Sequence, residues 1–469
     1  MLELNFSILI LQWLIVGYVV ALEVYYFVLN LSSFWCASKY MANRAVDALP
    51  RRYTDFDLPV SMLVPAFNEE TTITATIHSL LQLKYTEVEL VIINDGSRDQ
   101  TMEVLKKDFA LVPVLEAFPG QLITQPIKGI YASPLYSTLR VIDKENGGKA
   151  DALNAGINVS RNPLFCSIDA DSILERESLY RAVRPFLDNP NTVACAGTIR
   201  VANGCKVRRG YLVEIGLPRN LLALFQVGEY IRAFLFGRLG WLPFNSILII
   251  PGAFGVFRTH SVVAVGGYRT DTIGEDMDLV LRLHRDLRLQ DKPYSISYVP
   301  DAICWTEAPE QVKTLKAQRI RWQRGLSECL SNNWELLFHP KGGSVGWLAF
   351  PCAVLFEWLS PLLETGGCIF MFVGFAFGFV QPHIAAIFFA LAIGLGALNS
   401  ANALLLDELT FHRFPKLRDL LVLFLVAVLE NFGYRQLNSV WRVMAFFQWA
   451  MGRPSKWGVM ARNTTWQIR

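Results

Sequence analysis

Charged residues are scarce in this chain of 469 residues. Asp, Glu, Lys and Arg together make up 18% of it, whereas hydrophobic residues make up 52%. Soluble domains usually carry about 25% charged residues, so this balance favours a protein that is partly buried in a membrane. The net charge is only +3 and no basic tract stands out, which argues against a nucleic-acid partner.

Paired cysteines and clustered histidines are also missing. The eight cysteines are scattered singly, without a Cys-x-x-Cys pair, and the six histidines show no metal-ligand spacing. Neither a zinc site nor a disulfide framework is therefore indicated, and free thiols in a reducing compartment fit best. A dinucleotide-binding fingerprint of the GxGxxG type is absent as well.

The first long apolar stretch covers residues 6–35 and contains a single charge, Glu23. It is long enough to span a bilayer even when tilted. A cleaved signal peptide would begin with basic residues and have a shorter apolar part, whereas Glu3 makes this N-terminus acidic. Four basic residues follow the span: Lys39, Arg44, Arg51 and Arg52. The positive-inside rule then predicts an external N-terminus and a cytosolic continuation.

Between residues 57 and 300 the pattern becomes that of an α/β domain. Short apolar runs end in polar or glycine-rich segments and alternate with helical patterns. Four strands are predicted, at 60–64, 88–93, 139–142 and 164–168. Because strands that alternate with helices form mostly parallel, doubly wound sheets, we expect a ligand at the carboxyl ends of these strands.

The fourth run ends in two carboxylates, Asp169 and Asp171. Carboxylates this close repel each other unless a cation or a shared proton lies between them. Mg²⁺ or Mn²⁺, bound through one or two carboxylates and substrate phosphates, is the usual remedy. A helix cap at Ser172 followed by a solvated turn is the alternative, and the pair by itself does not decide between them.

Three further segments contain basic residues among other side chains. Residues 225–239 form an amphipathic pattern that suits either a membrane-interface helix or a core helix. Residues 198–211 contain several basic side chains and are expected to be a loop peculiar to this chain. Residues 313–324 are basic and could form a helix that docks on anionic lipid.

The last part of the chain is again apolar, with long runs at 347–380, 384–406, 420–429 and 440–451. These runs predict three or four C-terminal membrane helices. Glu430, Asn431 and Arg435 interrupt them, and polar groups at that depth are costly unless they face protein or a water-filled path. The basic end of the chain predicts a cytosolic C-terminus.

Six motifs appear in a fixed order along the chain: VPAFNEE (64–70), NDGS (94–97), NGGKADALN (146–154), DAD (169–171), GED (274–276) and QRIRW (318–322). With membrane segments at both ends, the whole chain resembles the processive family 2 membrane glycosyltransferases of bacterial type. This family includes cellulose, chitin, hyaluronan and poly-N-acetylglucosamine synthases. The resemblance implies an α/β GT-A domain, a Rossmann-like nucleotide-sugar-binding fold, inserted between transmembrane helices.

The resemblance also implies a role for each motif. The pocket for the nucleotide-sugar, usually a UDP-sugar, would be lined by Pro65, Asn68, Glu69, Asp95, Lys149 and Asp169. Asp95 would bind the base or ribose, and Lys149 would meet nucleotide or phosphate. Mg²⁺ or Mn²⁺ on the diphosphate would be held by Asp171, assisted by Asp169.

The last two motifs would carry the transfer itself. Asp276, with Glu275 beside it, would take the proton from the acceptor hydroxyl, and the reaction would invert the anomeric centre. Positions 318, 321 and 322 share a helical face. By the resemblance, Arg321 beside Gln318 grips the diphosphate and Trp322 offers a platform for the acceptor sugar. Pro251, in the turn PGAFG, stands where relatives often have Ser or Thr.

The expected organisation has five parts: a transmembrane helix at 1–38, the cytosolic GT-A domain at 39–300, the QxxRW and interfacial helices at 301–343, a C-terminal transmembrane region at 344–452 and a basic cytosolic tail at 453–469. The protein would reside in the cell inner (plasma) membrane among its lipids, use a glycan or lipid acceptor, and meet export partners on the periplasmic side. Two other functions stay open: a non-processive transferase acting on a membrane lipid, and a transporter or scaffold with a degenerate nucleotide-sugar domain. The intact motif carboxylates argue against the scaffold.

Overall fold

The computed structural model describes residues 2–47, 57–208, 211–414, 416–453 and 467–468. Arg51 and Arg52, used above to orient the first helix, lie outside these residues, as does most of the tail predicted at 453–469. The strands are β1 Val60–Ala66, β2 Val88–Asp95, β3 Val112–Val114, β4 Ile127–Ala132, β5 Leu139–Lys144, β6 Leu164–Ile168, β7 Ile173–Leu174, β8 Thr192–Val201, β9 Lys206–Arg208, β10 Tyr211–Glu214, β11 Phe254–Arg258, β12 Ser295–Thr306 and β13 Gln467–Ile468.

The helices fall into a set around the sheet and a set of longer apolar helices. They are α1 Leu2–Asp47, α2 Ile73–Leu80, α3 Thr101–Asp108, α4 Lys149–Val159, α5 Ser178–Asp188, α6 Leu221–Ile231, α7 Gly237–Leu239, α8 Thr259–Ala264, α9 Glu275–Leu289, α10 Val312–Asn332, α11 Phe350–Cys352, α12 Ser360–Ala376, α13 Pro382–Phe411, α14 Leu417–Leu429 and α15 Tyr434–Ala450.

The four predicted strands form the parallel centre of a ten-stranded sheet. They are β1, β2, β5 and β6, adjacent in the order β5-β2-β1-β6. All five residues of β6 are buried, as expected for a strand covered on both faces. The carboxyl ends of these strands meet at one edge, which is where sheets of this kind bind ligands.

The flanks of the sheet differ from the mostly parallel arrangement expected from the sequence. β3 and β4 pair antiparallel beside β5, and β11 pairs antiparallel with both β6 and β8. β11 runs back from the ligand edge, with Phe254 opposite Ile168. This direction holds the preceding turn, residues 251–253, against the carboxyl end of β6.

Two segments extend beyond the bounds expected for them. β12 pairs with β8 on both sides of residue 300 and continues to Thr306, so the sheet crosses the boundary placed at 300. α1 continues past residue 38 to Asp47. Residues 198–201 belong to the fully buried strand β8, and residues 206–208 form β9, which pairs antiparallel with β10. The loop expected at 198–211 is therefore wrong for both of these stretches.

Among the residues that the structure describes, two helices are long and apolar enough to cross a membrane: Ser7–Ala42 within α1 and Pro382–Phe411, which is α13. A third span results if Val345–Trp358 and Ser360–Ala376, which are bent by 41°, are counted as one. α14 has 13 residues, or about 20 Å at 1.5 Å per residue, which is short of the ~30 Å bilayer core. Within the described residues, the expected three or four C-terminal spans are therefore not confirmed.

The segment 225–239 packs into the core instead of lying at its surface. α6 is followed by a π-helical turn, Arg232–Phe236, and by α7. Val227, Leu235 and Leu239 are buried in the same cluster as the sheet residues, and α6 also contacts α13 and α14. The core-helix interpretation therefore fits, because this segment fills the space between the sheet and the apolar helices.

Candidate active site

The predicted site residues lie around one cavity of about 1740 Å³. It opens at the carboxyl ends of the parallel strands and reaches the face of α10 that carries the QxxRW residues. All twelve predicted residues line it: Pro65, Asn68, Glu69, Asp95, Lys149, Asp169, Asp171, Glu275, Asp276, Gln318, Arg321 and Trp322. Motifs separated by as many as 257 positions in the sequence, from Pro65 to Trp322, thus meet in one space.

Lys149 occupies the centre of the charged part of this cavity. It is the first residue of α4, and its Nζ lies 2.5 Å from Asp169 Oδ1 and 4.0 Å from Glu275 Oε1. Burial lowers the pKa of Lys149, but the neighbouring carboxylates of Asp169 and Glu275 outweigh burial and keep it above its ordinary value. The lysine therefore stays charged and balances the carboxylates that surround it.

Glu275 and Asp276 begin α9, where the partial positive charge of a helix N-terminus favours carboxylates. Burial raises the pKa of Glu275 to about 7; Lys149 opposes this rise and Asp276 adds to it. Asp276 is held differently, because its Oδ2 accepts a hydrogen bond from Gly252 N at 3.1 Å. Its Oδ1 accepts from Met277 N at 2.8 Å.

The turn before β11 therefore orients Asp276 through a backbone group. A Cβ at Gly252 would lie 2.9 Å from Lys149 Nζ and 3.6 Å from Asp276 Oδ2. A side chain at this position would thus push against the charged centre. The motif pattern singles out Pro251 in this turn, whereas the contact made by Gly252 leaves no mark in the sequence.

α9 and α10 touch at two glycines, which brings the carboxylates close to the QxxRW residues. A Cβ on Gly325 would lie 3.2 Å from Gly274 Cα, and one on Gly274 would lie 2.7 Å from Cys329 Sγ. Glu328 of α10 strengthens the contact, since its Oε2 accepts from Thr272 Oγ1 at 2.9 Å and from Ile273 N at 3.0 Å. No sequence signal singled out Glu328 or Gly325, because their partners are distant in sequence.

The nucleotide end of the cavity is formed by the loops after β1 and β2. Asn68 has a left-handed φ of 57°, and its Oδ1 accepts from Arg98 N at 2.8 Å. Glu69 Oε2 accepts from Thr72 Oγ1 at 2.6 Å. Asn68 thus braces the two loops against each other at the cavity wall, whereas the Glu69 side chain bonds within its own loop.

Asp95 is engaged by the protein itself, although the resemblance assigns it to the base or ribose. Its carboxylate is 3% exposed and accepts four hydrogen bonds, from Lys144 Nζ at 2.6 Å, Asn146 Nδ2 at 3.0 Å, Gly147 N at 3.0 Å and Gly148 N at 2.8 Å. A carboxylate has about four acceptor positions. In this structure Asp95 therefore fixes the glycine turn ahead of Lys149, and its assignment to the nucleotide remains a prediction.

The residues at the end of β6 could hold a divalent ion whose coordination the substrate phosphates would complete. Among the residues that the structure describes, no cluster of three or more His, Cys, Asp or Glu side chains could hold a metal. Two carboxylates, Asp169 and Asp171, face the cavity. Mg²⁺ and Mn²⁺ commonly use one or two carboxylates together with substrate phosphates and water, so this donor set suits either ion.

Family comparisons agree with this geometry. A model described as glycosyl transferase family 2 matches residues 61–259. A second, described as glycosyl transferase family group 2, matches residues 164–398, about half of the chain. The chain belongs to the family 2 glycosyltransferases. The two matches together cover the strands β1–β12, α10 and the first apolar helices that follow.

Among curated proteins, this glycosyltransferase is similar to poly-β-1,6-N-acetyl-D-glucosamine synthases of staphylococci. It is 29% identical to that of Staphylococcus aureus over 276 residues, which are 58% of this chain and 55% of the relative. It is 28% identical to that of Staphylococcus epidermidis over 305 residues, 65% of this chain and 63% of the relative. The matches thus span less than two thirds of those relatives.

Among solved structures, a mannosyltransferase of Pyrobaculum calidifontis, in complex with GDP-Man and Mn²⁺, shares the fold. The TM-score is 0.53 with 17% identity, and the match covers 90% of this chain and 99% of that one. The GT-A fold expected from the sequence is thereby confirmed.

Proposed function

We propose that the chain is an inverting glycosyltransferase that moves a sugar from a UDP-sugar to the growing end of a β-linked polysaccharide. One observation carries the proposal: a single cavity joins the carboxylates after β6, Asp276 and the QxxRW face of α10. The staphylococcal relatives are named as poly-β-1,6-N-acetyl-D-glucosamine synthases, so UDP-N-acetylglucosamine is the first donor to test.

The residues of the cavity divide the work of the transfer. The acceptor hydroxyl oxygen bonds to the anomeric carbon while the bond from that carbon to the diphosphate oxygen breaks. The nucleoside diphosphate leaves with the electron pair, and the hydroxyl proton passes to Asp276, which Gly252 N holds in place. Lys149 and Arg321, both on the cavity wall, offset the charge of the leaving group. Attack from the opposite face turns an α-linked donor into a β-linked product.

A Mg²⁺ or Mn²⁺ ion, when bound by Asp171 with Asp169, supplies further neutralisation of the diphosphate. Asp276, Lys149 and Arg321 bind and orient the reactants in the same cavity. The Mn²⁺ in the complex of the Pyrobaculum mannosyltransferase supports a divalent ion in this family.

The same cavity continues between the apolar helices, which supports export of the product through the membrane. Its wall there includes Glu23 and Asn30 of α1, Glu364 of α12, Asn399 of α13 and Arg435 of α15. Polar and charged side chains inside a membrane mark substrate paths more often than packing sites. We therefore propose a plasma-membrane location with several spans and a path for the glycan between them.

The proposed orientation has the sheet domain in the cytosol and the start of α1 outside, and contacts at the two ends of α13 support placing these two parts on opposite sides. Arg413, just after α13, pairs with Glu175 of the sheet domain. At the opposite end, Gln12 Nε2 of α1 donates to Phe379 O, just before α13. The proposed domains follow the sequence division, with the GT-A domain extended to Thr306 and the membrane region formed by α1 and α12–α15.

The test is UDP release by the purified protein in detergent with UDP-N-acetylglucosamine, UDP-glucose or GDP-mannose, each with Mg²⁺ or Mn²⁺. We expect metal-dependent turnover of one donor into long chains that a β-specific glycosidase digests. Asp276→Asn should lower kcat at least ~10²-fold, since general-base catalysis contributes about 10²–10⁴-fold. Asp188→Asn is the matched control, because its side chain is 62% exposed on α5.

Other results would change the proposal. Short products that extract into lipid solvent would indicate a non-processive transferase with a lipid acceptor. Turnover by Asp276→Asn equal to that of the wild type would reject Asp276 as the base. No turnover with any donor, metal or acceptor would favour the scaffold function.

A further inference from the structure

Trp322 is the aromatic side chain of α10 that faces the cavity, and it is 45% exposed there. One turn earlier, Arg319 lies over its ring, with the guanidinium carbon 4.4 Å from the ring centroid. Arg319 is only 3% exposed. The guanidinium therefore covers one face of the indole and separates that face from solvent.

Arg319 is anchored by two other helices. Its Nη2 donates to Glu229 Oε2 of α6 at 2.7 Å, and the same oxygen accepts from Tyr434 Oη of α15 at 2.8 Å. Phe225 of α6 stacks on the Tyr434 ring with centroids 4.8 Å apart. The position of the guanidinium is thus fixed from both sides of the cavity wall.

This placement does not satisfy all the hydrogen-bonding groups of Arg319. Its Nε and Nη1 are buried and have no hydrogen-bond partner in the part of the chain that the structure describes. Buried donors without a partner usually destabilise a folded protein. A guanidinium chosen only to tie helices together would satisfy more of its donors, whereas one that lies over an indole gives up donors for contact with the ring.

Charge is not the main contribution of Arg319 to the indole, because Glu229 neutralises it at 2.7 Å. What remains is a planar group held 4.4 Å over the ring centroid, which limits rotation of Trp322 about its side-chain bonds. A planar guanidinium can do this and a lysine ammonium cannot, although both pair with a carboxylate.

We propose that Arg319 is a positioning residue for the acceptor: it fixes the plane of the Trp322 indole on which the terminal sugar of the glycan rests. The inference rests on the proposed function, which makes Trp322 the acceptor platform. Glu229 and Tyr434 act through Arg319 by holding its guanidinium.

The test compares Arg319→Lys with the wild type and with Lys313→Gln, an exposed change on the same helix. UDP release is measured against increasing concentrations of a β-1,6-linked N-acetylglucosamine hexasaccharide, together with hydrolysis of the donor without acceptor. We expect Arg319→Lys to raise the acceptor KM about tenfold, because an indole that is free to rotate holds the terminal sugar less tightly. Donor KM and acceptor-free hydrolysis should change less than about twofold, and Lys313→Gln should match the wild type.

A double-mutant cycle separates positioning from general stability. If Arg319 acts through the indole, Arg319→Lys should have no further effect on acceptor KM in a Trp322→Ala background. Glu229→Gln keeps the size of the side chain that anchors Arg319 and should also raise the acceptor KM. This variant replaces Arg319→Lys in the test if Arg319→Lys does not fold. An equal effect of Arg319→Lys with and without the indole, or an unchanged acceptor KM, would overturn the inference. A wild type that turns over no donor would instead reject the proposed function, and the inference with it.

Discussion

Lys149 lies among the carboxylates at the end of β6, and their charges depend on one another. Its Nζ is bonded to Asp169 and lies 4.0 Å from Glu275. Glu275 is only 7% exposed, so its charged form is poorly solvated and burial raises its pKa to about 7. A nucleoside diphosphate would bring new negative charge to the same lysine, so donor binding and the ionisation of Glu275 should be linked.

The raised pKa of Glu275 predicts how the stability of the metal-free, donor-free protein depends on pH. An unfolded glutamate loses its proton near 4.5 and the folded one near 7, so the folded state holds the extra proton between these values. Stability should therefore fall as pH rises from about 4.5 to 7 and level off above, by at most about 3 kcal/mol. Melting temperatures measured by tryptophan fluorescence in EDTA at pH 5, 6, 7 and 8 would record this fall.

Glu275→Gln is the matched variant, because it removes the titration and keeps the shape. As pH rises from 5 to about 7, the melting temperature of the wild type should fall relative to that of Glu275→Gln. A difference that stays constant over this range would contradict the prediction.

Single residues also mark what the sequence could and could not predict. The motifs identified every member of the charged centre, because a family motif carries its residue types in a fixed order. They could not reveal that Asp95 accepts four protein hydrogen bonds, since its donors Lys144 and Gly147–Gly148 come from another strand and turn. Nor could they find Gly252, whose contribution is a backbone N–H that donates to Asp276, the proposed base.

At the scale of elements, the contact between α9 and α10 sets the distance between Asp276, the proposed base, and Trp322, the proposed acceptor platform. The two helices meet at Gly274 and Gly325, where the absence of side chains allows the backbones to touch. The periodicity of the sequence correctly placed Gln318, Arg321 and Trp322 on one face of α10. The tilt of that face toward α9 depends on a close approach that no local pattern encodes.

Gly325→Ala should separate the two helices. Its Cβ would lie 3.2 Å from Gly274 Cα and 3.3 Å from Gly274 N, so the start of α9 must move by a few tenths of an ångström. Because misplacement by 1 Å can reduce turnover about 10²-fold, we expect kcat to fall about tenfold with little change in donor KM. Steady-state UDP release checks this.

The free energy of unfolding of Gly325→Ala should change little. Alanine gains about 1 kcal/mol over glycine in a helix, and this gain offsets part or all of an overpacking cost of about 1–3 kcal/mol. Gly366→Ala in α12 is the control, because a Cβ there meets nothing within 4 Å. Equal kcat for Gly325→Ala and the wild type would show that the helix contact tolerates the shift.

For the whole molecule, the decisive question is how the sheet domain is attached to the apolar helices. Arg200, in the buried strand β8, donates to both carboxylate oxygens of Asp407 near the end of α13, at 3.1 and 2.5 Å. Tyr40 of α1 donates to Asp301 of β12. These contacts hold the glycosyltransferase sheet at the mouth of the proposed glycan path, so transfer and export would share one fixed geometry.

Breaking the Arg200–Asp407 pair should therefore destabilise the attachment. Asp407→Asn leaves the guanidinium buried without its counter-charge, and such a change costs about 3–5 kcal/mol. The double variant Arg200→Met with Asp407→Leu removes both charges and should recover most of that loss, because an apolar pair of similar volume has no desolvation penalty. Thermal unfolding in detergent, with UDP release in parallel, tests both variants. If Asp407→Asn melts like the wild type, the pair does not hold the sheet domain to the apolar helices. If the double variant is stable but makes only short products, the pair aligns the sheet domain with the proposed glycan path and is not needed for folding.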